Sequence, residues 1–201
     1  RDEVALADPG VLGSYMDRHD SGVAVLAAPA TPDGGSGITE SMVRQLLETV
    51  GRAYQVVVVD AGSGLDARSE AVLRAATDVI IVVTPDFPAL KAVHALRALL
   101  AASGVELGDT TFVLNQIYSR EILRLRDVEE ALGTRIALTL PYDAFAFLRS
   151  VNEGVPVVTG SSRSPAAVQL LRLVDQLAGF GAPDTVAVRR PKGFRALLGR
   201  G

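Results

Sequence analysis

Asp60 closes the apolar run Gln55-Val56-Val57-Val58-Val59 and is followed by Ala61-Gly62-Ser63-Gly64. A carboxylate at the carboxyl end of a parallel strand faces the crevice where open α/β sheets bind ligands. From there Asp60 can hold Mg²⁺ through a water, and Gly62 can serve as a switch, because glycine lets backbone approach a terminal phosphate closely. The plain alternative is that Asp60 ends the strand as a turn former and caps the helix that follows. Asn115 ends a second run, Phe112-Val113-Leu114, where its carboxamide can meet the donor and acceptor edge of a base; an Asn in a turn is the alternative. Pro141-Tyr142-Asp143 follows a third run, residues 136–140, and either walls the same base pocket or simply stops a strand. Three such ends in chain order carry more weight than any one of them.

The other half of a phosphate site is a loop of the form Gly-x-x-x-x-Gly-Lys-Ser/Thr, whose backbone N–H groups cradle phosphate oxygens. None occurs in the 201 residues. Pro32-Asp33-Gly34-Gly35-Ser36-Gly37-Ile38-Thr39 has the right setting, after a strand and before a helix, but Ile38 stands where the lysine is needed. A neutral aliphatic side chain cannot offset phosphate charge, so this segment is expected to be a Gly-rich surface loop, with helix N-terminal amides its one route to a phosphate.

Short β-rich runs alternate with helical patterns, which predicts an α/β fold: a mostly parallel sheet with helices on both faces. Strands are expected over residues 23–28, 55–60, 79–84, 111–117 and 135–140, and their nearly continuous apolar character suits burial on both faces. Helices are expected over 39–51, 66–76, 88–102, 127–132 and 164–179, with Thr39, Asp66 and Ser164 as N-caps and Pro165 in the first turn of the last. Residues 1–180 then form one nucleotide-binding domain and 181–201 a linker with a basic tail.

Composition narrows the class. Hydrophobic residues make up 48% of the chain and charged ones 21%, ordinary for a soluble globular protein. There is no cysteine, which removes disulfides and thiolate metal sites, and His19 and His94 are too far apart in sequence to suggest a metal pair. Apolar runs such as residues 79–83 fall far short of the roughly 20 residues that cross a bilayer. Asp2 and Glu3 are unlike a signal segment, and Arg1 stands where a start Met would, so the chain is expected to be a cytoplasmic fragment. Net charge is −3, yet five basic residues follow the last acid, Asp184, leaving −8 on the rest.

The ordered set Val25-Leu26-Ala27-Ala28-Pro29, Tyr54 to Asp60, Asp78 to Asp86, Val113-Leu114-Asn115-Gln116, Leu140-Pro141-Tyr142-Asp143 and Asn152-Glu153-Gly154-Val155-Pro156-Val157 resembles the MinD/ParA group of P-loop ATPases, and within it the MinD and CpaE/TadZ branch. The resemblance covers about residues 22–179. It implies a switch that dimerises with ATP and Mg²⁺ and positions septum or pilus machinery, with Asp60 as the magnesium-side acid, Asn115 as the adenine contact, and Pro141 and Asp143 in the adenine-side loop. The family's Lys-Gly-Gly-x-Gly-Lys-Thr-Thr loop, the next helix and the next strand would all precede residue 1. Since the strand of that loop lies between the strands ending at Asp60 and Thr84 in such folds, the chain would lack the middle of its sheet.

Phe194, Leu197 and Leu198 fall at i, i+3 and i+4, so a short helix would gather them on one face with Lys192 and Arg195 reaching toward anionic headgroups. This resembles the C-terminal membrane-targeting helix of MinD and implies peripheral attachment to the inner membrane; a soluble basic tail is the alternative. A non-catalytic scaffold of the same fold is a second reading of the whole chain. A ParA-like role in partitioning DNA ranks third, because the acidic body offers no broad basic face.

Overall fold

A computed structural model describes residues 8–29, 31, 35, 37–105 and 109–180. The expected tail residues Lys192, Phe194, Arg195, Leu197 and Leu198 lie outside the described residues, as do residues 32–34 and 36 of the Gly-rich segment.

Three parallel strands form the sheet, in the order β3 (Asp78–Val83), β4 (Asp109–Asn115), β5 (Leu138–Leu140). The crossovers are α4 (Phe87–Ala102) and α5 (Leu125–Leu132), as parallel pairing requires. Alternation along β4 sends Phe112 and Leu114 to one face and Val113 to the other. On the first face Val83, Phe112 and Leu114 pack with Leu90, Val93, Val128 and Leu132 of the crossover helices. On the second, Val113, Leu138 and Leu140 meet Leu173, with Leu170 and Leu177 beside it, all from α8 (Pro165–Phe180). Each fully buried leucine contributes about 1.5–3 kcal/mol, so helices on both faces hold this sheet, as the alternation of elements implies. Polar ties close the first layer: Arg97 lies 4.9 Å over the Phe112 ring and donates to the Leu132 carbonyl at 2.6 Å. His94 Nε2 donates to Ala131 O at 2.8 Å. Both satisfy carbonyls that the end of α5 leaves without helical partners.

The earlier part of the chain holds α1 (Pro9–Gly13), a two-residue antiparallel ladder of β1 (Asp17–Arg18) and β2 (Ala24–Val25), α2 (Glu40–Ala53) and α3 (Ala67–Ala75). Thr39 Oγ1 accepts from Met42 N at 3.2 Å and starts α2. Asp66 starts α3 in a capping box with Ser69, and α2 packs on α3. Arg74 of α3 reaches the Ser103 carbonyl at 2.9 Å, tying this part to the end of α4.

Several expectations are corrected. Of residues 23–28 only Ala24–Val25 pair, and they pair antiparallel with β1. Residues 55–60 form no strand, and Val56, Val57, Val58 and Val59 are all exposed. A parallel strand exists only through its hydrogen-bonded neighbours, and no described strand lies beside this run. Burial along β3 alternates instead of being continuous, with Ile80 and Val82 exposed, because they lie on the Val113 face, which no described element covers over β3. Expected strand 135–140 shortens to Leu138–Leu140. Helices α6 (Ala144–Glu153) and α7 (Val157–Gly160) were not expected; Asp143 caps the first, and Gly154 at φ 64° stops it in the left-handed conformation that glycine adopts freely.

Candidate functional site

The carboxyl ends of β3, β4 and β5 share one rim. Val83 pairs with Leu114 and Asn115 with Leu140, and Gln116 N donates to Leu140 O at 2.9 Å, so Asn115 and Pro141 end neighbouring strands. By register Asn115 lies on the α8 face of the sheet, alongside Val113, Leu138 and Leu140. Asp143 follows directly and works locally: Oδ1 accepts from Ala146 N at 3.4 Å, capping α6, and Oδ2 from Ala166 N at 3.5 Å, pinning the start of α8 to the rim. At the third strand end Asp86, which sequence reasoning passed over, accepts from Ala89 N at 2.9 Å and from the Thr84 hydroxyl. Its signal was an acid placed just before Phe87-Pro88, an N-cap before a first-turn proline.

Asp60 and Gly62 belong to the segment between α2 and α3. Gly62 N donates to Asp60 Oδ1 at 2.9 Å, folding the segment back on the carboxylate, and Gly62 has φ 69°, a conformation an L side chain adopts only with strain. The carboxylate lines a groove of about 390 Å³ with Ala61, Gly64, Asp66, Arg68 and Ser69. Arg68, a second residue not singled out from sequence, donates from Nε and Nη2 to Asp66 Oδ2 at 2.9 and 2.7 Å and from Nη1 to Gly35 O at 3.2 Å. It thus fastens the Gly-rich segment to the start of α3. The Ser69 N–H and then the Arg68 guanidinium hold the Asp66 carboxyl down to about 2. Among the described residues no hydrogen bond joins Asp60 to Asn115 or Pro141, and neither lines the Asp60 groove.

Electrostatics limit what these sites can do. A phosphate cradle needs free N–H groups at a helix start. The helices that follow Asp60, β3 and β5 each begin on their own carboxylate, Asp66, Asp86 and Asp143. Those starts are occupied and carry negative charge. What remains is a carboxylate lining one groove and a carboxamide beside a proline at two neighbouring strand ends.

No family model matches the chain. It is 26% identical over 151 residues to the septum site-determining protein minD homolog of Arabidopsis thaliana, covering 71% of this chain and 45% of that protein. To septum site-determining protein MinD of Synechocystis it is 21% identical over 164 residues, covering 79% and 60%. The chain spans about half the length of the curated relatives it matches. Among solved structures, a ParA family ATPase from Chlorobium tepidum superposes with TM-score 0.79 at 21% identity, covering 88% of this chain and 74% of that one. MinD from Pyrococcus horikoshii, solved with Mg-ADP, gives 0.71 at 19%, covering 90% and 75%. A chain of the MinC:MinD cell division protein complex of Aquifex aeolicus gives 0.67 at 17%, covering 85% and 69%. The chain therefore has the fold of the MinD and ParA ATPases, with a sequence similar to that of MinD septum site-determining proteins.

Proposed function

We propose that these residues are part of a MinD-like ATPase, an ATP- and Mg²⁺-dependent dimerisation switch that positions septum machinery, or pilus machinery if its affinity lies with the CpaE/TadZ branch. The observation that carries the reading is a sheet with one edge left open: β3 has no described neighbour on its outer edge, and the valine run before Asp60 is exposed. One further strand, pairing with β3 on one side and with residues 55–60 on the other, would cover both. If that strand ended in a glycine-rich loop with a lysine, its N–H groups would lie between Asp60 and the Asn115–Pro141 rim and supply the phosphate cradle that the capped helices cannot. Asp60 would then hold Mg²⁺ through a water, Gly62 would follow the terminal phosphate, and Asn115, Pro141 and Asp143 would flank adenine. Catalysis would rest on positioning and charge. The basic tail, with Lys192, Phe194, Arg195, Leu197 and Leu198, would attach the dimer to an anionic inner-membrane surface, two copies holding where one short helix holds weakly.

Phosphate release and binding of a fluorescent ATP analogue test this, on the 201-residue chain and on the chain extended at its amino end by a segment bearing Lys-Gly-Gly-x-Gly-Lys-Thr. The chain alone is expected not to turn over ATP, whereas the extended chain does so until Asp60→Ala removes the magnesium-side acid. Turnover that depends on Asp60 in the chain alone would refute the open-edge reading. A second reading, a non-catalytic scaffold of the same fold, draws support from the carboxylates that occupy the helix starts, and wins if the extended chain binds no nucleotide.

A further inference from the structure

We propose that Tyr142 is the side chain that stacks on the nucleotide base. This contact lies within the nucleotide site proposed above and depends on it.

The backbone on both sides of Tyr142 is held. Asp143 turns both oxygens to helix starts: Oδ1 accepts from Ala146 N at 3.4 Å and Oδ2 from Ala166 N at 3.5 Å. On the other side the ring of Pro141 fixes its own φ. A side chain seated between two held residues has little freedom left to lose when a ligand binds, and tyrosine brings large, flat contact area on only two side-chain torsions.

Register sets its direction. Parallel pairing places Asn115 beside Leu140 on the α8 face of the sheet. Tyr142 lies two residues beyond Leu140, the spacing that returns a side chain to the same face while the chain stays extended. One strand separation across and two residues along put the Asn115 and Tyr142 Cα atoms about 8 Å apart. One flat base can then meet the Asn115 carboxamide with its edge and the Tyr142 ring with its face. Both groups are open to such a ligand: Tyr142 is 47% exposed, and among the described residues the Asn115 carboxamide makes no hydrogen bond. A carboxamide offers a donor and an acceptor side by side, which suits the adjacent acceptor and donor on an edge of adenine.

The chain carries its own control. Tyr118 follows the neighbouring strand and is exposed to nearly the same degree, 42%. It stands three residues past Asn115, an odd spacing that sends it to the opposite face.

The test measures dissociation constants for two probes: adenosine with the 201-residue chain, by saturation-transfer NMR read at the adenine H2 and H8 protons, and ATP with Mg²⁺ with the amino-terminally extended chain, by calorimetry. Tyr142→Ala should weaken whichever of these binds by about 5- to 150-fold. Tyr142→Leu, which keeps apolar bulk but has no π face, should follow it, while Tyr142→Phe and Tyr118→Ala should stay within about twofold of the parent. Binding that survives both Tyr142→Ala and Tyr142→Leu within about twofold, or that falls as far with Tyr118→Ala, overturns the stacking role and leaves the nucleotide site standing. No binding of either probe to either chain overturns the nucleotide site and the stacking with it.

Discussion

Replacing Val58 and Val82 by threonine, singly and together, measures whether a strand is missing between them. Threonine keeps the branched shape and β preference of valine but adds a hydroxyl, so the substitution reads burial and little else. A fully buried valine is worth about 2 kcal/mol. Val58 is 89% exposed and Val82 59% exposed, so the chain realises only about 0.2 kcal/mol of that at Val58 and about 0.8 kcal/mol at Val82. Threonine retains one of the methyl groups, and the double substitution should cost the 201-residue chain less than about 1 kcal/mol. Once a strand covers both positions, each hydroxyl is buried without a prepared partner at about 1–3 kcal/mol. The same double change in the amino-terminally extended chain should then cost about 2–6 kcal/mol. Urea unfolding followed by circular dichroism, with midpoints compared at unchanged slope, gives both numbers. A loss above about 2 kcal/mol in the shorter chain would mean that these valines are already packed. Indifference in the longer chain would mean that no strand enters the gap, and either result defeats the reasoning.

Two further outcomes follow from the described contacts. Asp66 binds the Ser69 N–H and Arg68 in its charged form and titrates at about 2, below the ordinary 3.8. Its contribution is therefore complete above about pH 4 and lost as pH falls from 4 through 2. Asp66→Asn should be less stable than the parent at pH 7, with the difference in urea midpoint shrinking through pH 2 and closing below it; a difference that stays constant from pH 7 to below pH 2 would show that the charge is not what matters. Leu132 is buried between Val128, Leu114 and the side of α4, and Leu132→Ala should cost about 2–5 kcal/mol by the same urea measurement, a loss under 1 kcal/mol marking a layer loose enough to collapse.

Helix starts were legible because caps are local chemistry. Thr39, Asp66 and Ser164 could be placed from the side chain and the few residues after it, and each bonds a backbone N–H within three positions of itself. Strands depend on partners that lie anywhere in a sequence, which is why residues 55–60, as valine-rich as β3, stay outside the sheet while β3 is in it. Helix α6 escaped for another reason. Phe145, Phe147, Leu148 and Val151 are apolar on both its packed and its open flanks, so no one-sided period of 3.6 stands out.

The site divides along the same line. That Asn115 and Pro141 would share a rim follows from two consecutive parallel strands joined by a crossover helix, since every such strand points its carboxyl end the same way. The partners of Asp60 were hidden because the Arg68 contact that shapes its groove reaches Gly35, 33 residues away in the chain. Asp66 was legible as a helix cap, Asp86 was passed over and Asp143 was read as part of an adenine-side loop, and each is bound to backbone N–H groups at the start of a helix. A carboxylate so engaged repels phosphate from the one place on a helix where phosphate ordinarily binds. Asp60 differs from all three: among the described residues its oxygen meets only the Gly62 N–H two residues on, ahead of any helix, and its carboxylate lines the groove instead of closing a helix start.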